Sequence, residues 1–318
     1  MQQSAGDPQR SFSALRIFFT GFAMGAADLI PGVSGGTMAF ILGVYEQLLN
    51  AIKSFNLQLI QLLFKGRWRE ALDAVPLRFL IPLGMGLAVA IFSMARLMRY
   101  LLEYQTVYLF SFFFGLILAS IIAVGAVVRW RAETAIALLV GSVVAYLIIG
   151  LVPMDMPNDP LTLFLSSTVA IMAMILPGIS GSFILLILGQ YAYVLNAVAE
   201  FDIITIIPVI LGAMVGLLGF ARILSWLLKH YHGVTVAVLI GFMVGSLRKI
   251  WPWKEVVETM LDRHGDIVPL RENNILPNFA SGEFWLAFVI AIVAFFLLSY
   301  MDHLQTKKNP ILSRWLVH

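Results

Sequence analysis

Two short segments carry the residue types best suited to binding an anion. Residues 31–37 read PGVSGGT and residues 177–182 read PGISGS. In each segment a proline interrupts a helix, and the glycines free the backbone from helical angles. Ser34 and Ser180 are of a type that caps helix N-termini. Because free N–H groups and the helix dipole at such a terminus attract anions, the two segments predict a pair of phosphate-binding tips.

The candidate residues fall into two sets. The candidate phosphate contacts are Ser34, Gly35, Gly36, Thr37, Ser180, Gly181 and Ser182. The residues that form the turns of the tips are Pro31, Gly32, Pro177 and Gly178. Either segment alone also fits a kinked helix whose glycines only permit close helix packing. The occurrence of the same pattern twice favours the functional interpretation.

Three arginines lie within apolar stretches of the chain or at their ends. Arg96 and Arg222 occupy matching positions in two equivalent spans, whereas Arg99 has no such counterpart. An arginine within a membrane span is costly and usually faces a cavity or a partner, and its guanidinium fits phosphate oxygens. We therefore include Arg96 and Arg222 among the candidate phosphate ligands. The alternative is that both side chains extend to the membrane surface.

Two carboxylates distinguish the first tip from the second. Asp28 precedes the first proline by three residues and Glu46 follows the first tip, whereas Met174 and Ala192 stand at the equivalent positions. A carboxylate in a membrane tends to be protonated or paired with a cation. Asp28 and Glu46 are therefore candidate sites for a coupling ion, H⁺ or Na⁺. A structural hydrogen bond or an ion pair with arginine is the alternative.

Composition places these residues in a membrane protein. The chain has 318 residues, no cysteine, 60% hydrophobic residues and only 12% charged residues. Soluble domains carry about 25% charged residues, so a soluble fold could not cover its surface. The lack of cysteine excludes disulfide scaffolds and Cys-ligated metal sites, and the five histidines match no familiar metal spacing. With a formal charge of +3, the chain is not expected to bind nucleic acid.

The hydropathy pattern predicts an all-α polytopic fold. Crossing a bilayer takes about 20 apolar residues. The predicted spans are roughly 79–102, 107–128 and 133–152 in the first half and 207–228, 233–247 and 284–301 in the second. Two further regions, 12–52 and 161–198, are interrupted near their middle by the tips. We expect each to be a re-entrant helical hairpin, because non-helical backbone is tolerated in a membrane only where protein or a cavity satisfies it.

The two halves of the chain repeat one another. Residues 31–52 match residues 177–198 at 11 of 22 positions, and a second block that pairs Arg96 with Arg222 matches at a shift of 126. An insertion in the first half, around QLLFKGRWREALDAVPLR, resembles an amphipathic surface element.

This repeat predicts the domain organisation. We expect one membrane domain over 1–318, with repeat 1 at 12–152 and repeat 2 at 161–301. Three spans and one hairpin per half place the halves in opposite orientations. Inverted repeats of this kind are typical of secondary transporters, which bind substrate at broken helices near the midplane. We therefore expect the two tips, with Ser34 and Ser180, to lie close together near mid-membrane.

The distribution of basic residues predicts the orientation. With this topology, thirteen lysines and arginines lie on the side of the N-terminus and five lie in the loop 248–282 on the opposite side. By the positive-inside rule, both termini are expected to be cytoplasmic.

At these residues the chain resembles a known family. GAADLIPGVSGGTMAFILGVYEQL, followed later by ILPGISGSFILLILGQY, is similar to the bacterial polyprenyl-phosphate transporter family, PopT. The resemblance covers about residues 12–302. It implies a flippase of the bacterial cytoplasmic membrane that returns undecaprenyl phosphate from the outer to the inner leaflet for cell-wall and surface-polysaccharide synthesis. The implied partners are this lipid and the membrane, with a homo-oligomer left open. Of the candidate residues, Asp28, Pro31 to Thr37 and Pro177 to Ser182 match the family motif.

Two other functions remain open at the level of sequence. A transporter of a small soluble anion would share the repeat and the tips, but its cavity would be closed to lipid. An integral-membrane lipid phosphatase would need a cluster of acid and base side chains, and the tips offer one acid and no histidine. The chain has neither a nucleophile–base constellation nor a Walker motif, so we expect no catalytic residues and no cofactor.

Overall fold

The computed structural model describes residues 13–30, 33–151, 154, 156–261 and 267–306. Within these residues the chain forms fourteen α-helices and one two-stranded β-sheet. The helical, multi-pass membrane character predicted from composition is confirmed, because several helices are long and apolar enough to cross a bilayer.

The first half of the chain contributes eight helices. They are α1 (Ala14–Asp28), α2 (Gly35–Ile41), α3 (Tyr45–Lys53), α4 (Leu57–Phe64), α5 (Trp68–Ala74), α6 (Leu77–Tyr104), α7 (Thr106–Gly125) and α8 (Ala132–Ile149). Ser13, Ser34 and Asn56 cap α1, α2 and α4 by accepting hydrogen bonds from backbone N–H groups.

The second half repeats this order without counterparts of α4 and α5, and it has an insertion of two strands before its last helix. Its elements are α9 (Pro160–Ile175), α10 (Gly181–Ile187), α11 (Tyr191–Ala199), α12 (Ile203–His230), α13 (His232–Ser246), β1 (Lys254–Leu261), β2 (Ile267–Asn274) and α14 (Gly282–Thr306). Asp159 caps α9 at the position that corresponds to Ser13 in the first half.

Five helices have the length and composition of membrane spans. These are α6, α7, α8, α12 and the Gly282–Met301 part of α14, and the bent pair α10–α11 would make a sixth if it crosses as one segment. The predicted span at 233–247 corresponds to α13, which is apolar but only 15 residues long. Most of α13 is buried, so it lies among other helices rather than against lipid.

Each interrupted region contains three helices where the sequence predicts two. The second arm is broken at Gly43 and at its repeat partner Gly189, which adopt φ angles of +74° and +69°. Only glycine reaches such angles without strain. In the second half the break bends α10 from α11 by 114°.

Both interrupted regions nevertheless double back. The Arg16 guanidinium, near the start of α1, donates to the Leu42 carbonyl after α2 at 3.3 Å. In the second half, the Met154 N–H, ahead of α9, donates to the Ile187 carbonyl at the end of α10 at 2.7 Å. In each half, the end of the short helix after the tip therefore lies beside the start of the interrupted region.

The packing of the first long helix also repeats. Helix α1 packs on α6 where a Cβ on Gly86 would overlap the Phe18 carbonyl oxygen, and α9 packs on α12 where a Cβ on Gly212 would overlap the Phe164 carbonyl oxygen. Gly86 and Gly212 are repeat partners, and so are Phe18 and Phe164. Small residues at such contacts allow the backbones of membrane helices to approach closely.

The remaining long helices pair across the two halves. Helix α7 packs on α14, where Gly115 faces the Ala291 carbonyl, and α13 packs on α8, where Gly241 faces the Leu138 carbonyl. Gly115 and Gly241 are again repeat partners. The same contact is thus made twice, each time between one helix of one half and one helix of the other.

The loop 248–282 contains a β-hairpin that the sequence analysis does not predict. Strands β1 and β2 pair antiparallel, with Lys254 opposite Asn274 at the base of the hairpin. Pro269 lies within β2, and proline normally argues against a strand because it lacks an N–H. It is tolerated here because each strand of a two-stranded sheet has a free edge.

The basic insertion of the first half forms α4 and α5. Both helices expose large apolar side chains: Leu57, Ile60, Phe64, Trp68 and Leu72. Lys65, Arg67 and Arg69 lie among them and are also exposed. This combination is typical of an element that lies in the membrane interface, as the sequence indicates.

Candidate functional site

The two interrupted regions contact each other at their tips. We name tip 1 the residues 29–37 and tip 2 the residues 176–182. The Thr37 hydroxyl of tip 1 accepts a hydrogen bond from the Gly178 N–H of tip 2 at 2.8 Å. The Ser34 hydroxyl donates to the Met174 carbonyl, just ahead of tip 2, at 3.2 Å. The tips therefore form one structure between the two halves.

Tyr45 and Gly36 strengthen this contact from the first half. The buried Tyr45 hydroxyl donates to the Ile175 carbonyl at 2.8 Å. A Cβ on Gly36 would lie 2.8 Å from the Met174 carbonyl oxygen, so the close approach requires glycine there. Tyr45 is not among the candidate residues predicted from the sequence, although its pairing with Tyr191 in the repeat is a signal for it.

At tip 1 the chain supplies its own anion. The Asp28 carboxylate accepts from the Gly35 N–H at 2.6 Å, and the Ser34 hydroxyl accepts from the Gly36 N–H at 3.1 Å. Asp28 is exposed, whereas its neighbours Ala27 and Ile30 are buried. The first N–H groups of α2 are thus engaged within the chain, and the carboxylate that engages one of them is open to the surroundings.

Tip 2 is built differently. The hydroxyls of Ser180 and Ser182 lie 2.8 Å apart, and the Ser180 side chain, unlike that of Ser34, makes no capping hydrogen bond to α10. Met174 replaces Asp28, and its Cβ lies 3.1 Å from a Cβ placed on Gly181. No carboxylate therefore occupies the place at tip 2 that Asp28 occupies at tip 1.

The turn of tip 2 requires glycine. Gly178 has a φ angle of +93°, and a Cβ there would approach the Phe242 carbonyl oxygen and the Ser246 hydroxyl to 2.8 Å. Pro177 is buried beside it. The corresponding turn residues of tip 1, Pro31 and Gly32, lie outside the described residues.

The two arginines lie on the surfaces of their helices. Arg96 is exposed on α6, and Arg222 is exposed on α12. The Arg222 guanidinium donates to the Leu218 carbonyl at 2.9 Å and to the Phe55 carbonyl at 3.3 Å. Within the described part of the chain, no hydrogen bond joins either arginine to a tip. Their role in phosphate binding stays a prediction.

Glu46 lies at the contact between α3 and α13. Its carboxylate is 3.3 Å from the His232 ring nitrogen, and both side chains are well exposed. Of the two candidate carboxylates, only Asp28 hydrogen-bonds a tip residue among those that the structure describes.

The geometry combines hydroxyls, helix N-termini and one carboxylate where two similar halves meet. Hydroxyl and N–H groups can replace the water around a phosphate, and the carboxylate can bind or release a cation. Within the described ranges, no three His, Asp or Glu side chains come close enough to hold a metal ion.

Comparison with known proteins identifies relatives over most of the chain. A family model described as undecaprenyl phosphate translocase-like matches residues 24–268. A Vibrio cholerae protein named polyprenyl-phosphate transporter is 40% identical over 269 residues, which are 84% of this chain and 87% of that protein. A Staphylococcus aureus protein of the same name is 32% identical over 251 residues, 73% of this chain and 84% of that protein. No solved structure matches the chain.

Proposed function

Because the chain belongs to the undecaprenyl phosphate translocase-like family, we propose that it translocates undecaprenyl phosphate across the bacterial cytoplasmic membrane. The direction is from the outer to the inner leaflet, where the lipid is reused for cell-wall and surface-polysaccharide synthesis. The names of the two relatives support a polyprenyl phosphate as substrate. The observation that carries the proposal is the junction of the two tips between the two halves.

The substrate sets two physical requirements. Its phosphate is costly to move through hydrocarbon unless polar groups replace its water. Its tail gains nothing from leaving the lipid. A path past the tips that is open sideways meets both requirements. Arg96 and Arg222, on the exposed surfaces of α6 and α12, would then attract the head group toward that path.

The helix packing is repeated in the two halves. We propose that repeat 1 (12–152) and repeat 2 (161–301) each contain a re-entrant segment and three membrane-crossing helices, in opposite orientations, with both termini cytoplasmic. The repeated Gly86–Phe18 and Gly212–Phe164 contacts support the repeat itself, and three crossings in each half would place the halves in opposite orientations. Inverted halves provide alternating access by rocking about a central site.

Asp28 is the residue through which lipid translocation would be coupled to H⁺ or Na⁺. We propose that its carboxylate and the substrate phosphate compete for the N-terminus of α2, because both are anions and Asp28 already accepts from the Gly35 N–H. Protonation of Asp28, or capture of Na⁺ by it, weakens its hold and opens tip 1 to phosphate. Loss of the cation restores the Asp28 contact and expels the phosphate.

The function is tested in reconstituted vesicles. We expect the purified protein to accelerate leaflet exchange of a fluorescent short-chain polyprenyl phosphate, measured by quenching of the outward-facing label. The protein should not accelerate the exchange of a polyprenol of equal length. Inorganic phosphate trapped inside the vesicles should not leak out. Phosphate efflux without lipid exchange would instead support a soluble-anion transporter. Dephosphorylated lipid recovered from the vesicles would support a phosphatase.

A further inference from the structure

Two lysines share one carboxylate beside tip 2. The ammonium groups of Lys249 and Lys254 lie 3.4 Å and 3.2 Å from the same oxygen, Oε2 of Glu272. Lys249 follows α13, and the other two residues lie at the base of the β-hairpin. The cluster contains two positive charges and one negative charge, so one positive charge is left uncompensated within it.

This uncompensated charge is held in apolar surroundings. The Lys254 side chain is only 9% exposed, and its ammonium lies 4.5 Å from the centre of the Phe110 ring. The Lys249 ammonium lies 5.2 Å from the centre of the Phe183 ring. Rings attract cations, but a buried ammonium is stable only if it is well paired. Burial lowers the pKa of Lys254 to about 8, although the Glu272 carboxylate opposes this shift.

The surrounding residues indicate the depth of the cluster. The base of the hairpin and the start of α14 carry a group of aromatic side chains whose rings contact one another: Trp251, Trp253, Phe279, Phe284, Trp285 and Phe288. The Trp251 ring also lies 5.6 Å from Phe114 of α7. Tryptophan is enriched where a membrane meets water, which is also the level of lipid phosphates.

We propose that Lys249 and Lys254 form a binding site for the phosphate monoester of a lipid at the membrane surface, from which the head group passes to tip 2. Phe183, beneath Lys249, directly follows Ser182 of tip 2. In the absence of lipid phosphate, the Glu272 carboxylate pairs with both ammonium groups. A phosphate monoester displaces it because the phosphate carries more negative charge and offers three acceptor oxygens. The inference rests on the proposed function for its substrate and adds the place where that substrate is first bound.

Charge-neutral variants test the site in the full chain. Lys254→Met and Lys249→Met keep the apolar stems over the rings and remove the charges. Each should weaken binding of a short-chain polyprenyl phosphate to the detergent-purified protein by about tenfold or more. Lys229→Met, at an exposed lysine in the last turn of α12, is the control and should bind like wild type. Titration calorimetry gives the affinities, and inorganic phosphate serves as a second probe of whether the head group alone is recognised.

Glu272→Gln separates this site from a merely structural ion-pair cluster. Removing the competing carboxylate should tighten binding about threefold or more. A purely structural role predicts lower thermal stability and no gain in affinity, and a folding defect cannot produce a gain. If wild type binds the lipid phosphate but neither lysine variant weakens it and Glu272→Gln does not tighten it, the inference is wrong and the proposed function stands. If wild type binds neither probe, both are wrong.

Discussion

Asp28 marks a chemical difference between two otherwise similar tips. Its carboxylate accepts from the Gly35 N–H, whereas the repeat partner Met174 has no polar atom that could do so well. The sequence predicts this asymmetry, because Met174 stands at the position equivalent to Asp28. It does not predict the hydrogen-bond partner, because the partner depends on how the chain turns between α1 and α2.

We expect Asp28→Asn to slow lipid transport by about tenfold and to flatten its dependence on pH or Na⁺. The amide oxygen can still accept from the Gly35 N–H, so a packing role would survive the change. Exchange rates in vesicles across a pH series, with and without Na⁺, provide the measurement. Asp73→Asn, on the exposed surface of α5, is the control. Wild-type responses in Asp28→Asn would leave Glu46 as the remaining candidate carboxylate.

The lowered pKa of Lys254 predicts that phosphate binding depends on pH. Burial lowers its pKa to about 8; Glu272 and Lys249 are the charged groups that face it. Burial alone would raise the pKa of Glu272, but attraction to Lys254 and Lys249 outweighs it and lowers that pKa, so Glu272 stays ionised. The ammonium is present below about pH 8 and is lost as the pH rises through that value.

Binding of inorganic phosphate to the purified protein should therefore weaken between about pH 7 and 9. Lys254→Arg should largely remove this dependence, because arginine stays charged throughout that range. Calorimetric titrations at several pH values, with wild type and variant side by side, give the comparison. An identical pH profile in the arginine variant would show that another group causes the decline.

At the scale of elements, the short helices of the interrupted regions escape sequence prediction. Helices α2 and α10 have seven residues each, too few to be stable alone. They form because α1, α7 and α9 pack on α2, and α9 and α11 pack on α10. The repeated Leu-Gly pair ahead of Tyr45 and Tyr191 is visible in the sequence, but only the structure gives the left-handed turn at Gly43 and Gly189.

The sequence does not predict the β-hairpin, for a related reason. Its base is fixed by distant partners, such as the 3.1 Å hydrogen bond from the Ile275 N–H to the Trp253 carbonyl and the ring of Phe110 beneath Lys254. Local patterning there is weak, and Pro269 argues against a strand. The amphipathic pattern of α4 and α5, by contrast, is local, so the sequence alone predicts a surface element there.

Helix packing at repeated glycines gives a test at this scale. Gly86→Ala should destabilise the protein by about 1–3 kcal/mol, because its Cβ would overlap the Phe18 carbonyl oxygen. Gly84→Ala, two residues earlier on the exposed side of α6, meets no atom within 4 Å and should be neutral or stabilising by up to about 1 kcal/mol. Thermal unfolding in detergent measures both. Equal stability of the two variants would argue against close packing of α1 on α6.

For the whole molecule, the sequence predicts the repeat and the meeting of its two tips. It does not predict how helices pair across the halves, because the apolar surfaces of α7, α8, α13 and α14 carry no pattern that selects partners. The sequence shows the glycines at those contacts, but it does not show which carbonyl groups they face.

The opposite orientation of the halves is testable by labelling, because the chain has no cysteine. Single cysteines replace Asp73 in α5 and Glu283 in the first turn of α14, both exposed. In spheroplasts we expect a membrane-impermeant maleimide to label the second position at once and the first only after permeabilisation. Labelling of both positions in intact spheroplasts would contradict the proposed topology.

The central claim is that the lipid phosphate crosses where the tips meet, and the Thr37–Gly178 hydrogen bond tests it most directly. Thr37→Val keeps the shape of the side chain and leaves the Gly178 N–H without its partner, a change worth about 1–3 kcal/mol. Thr168→Val is the matched control, because its hydroxyl donates to the Phe164 and Gly212 carbonyls where α9 packs on α12. With both variants folded and reconstituted, leaflet exchange of the labelled polyprenyl phosphate should fall about tenfold in Thr37→Val and stay near wild type in Thr168→Val. Wild-type exchange in Thr37→Val, or equal loss in both variants, would contradict passage through the tips.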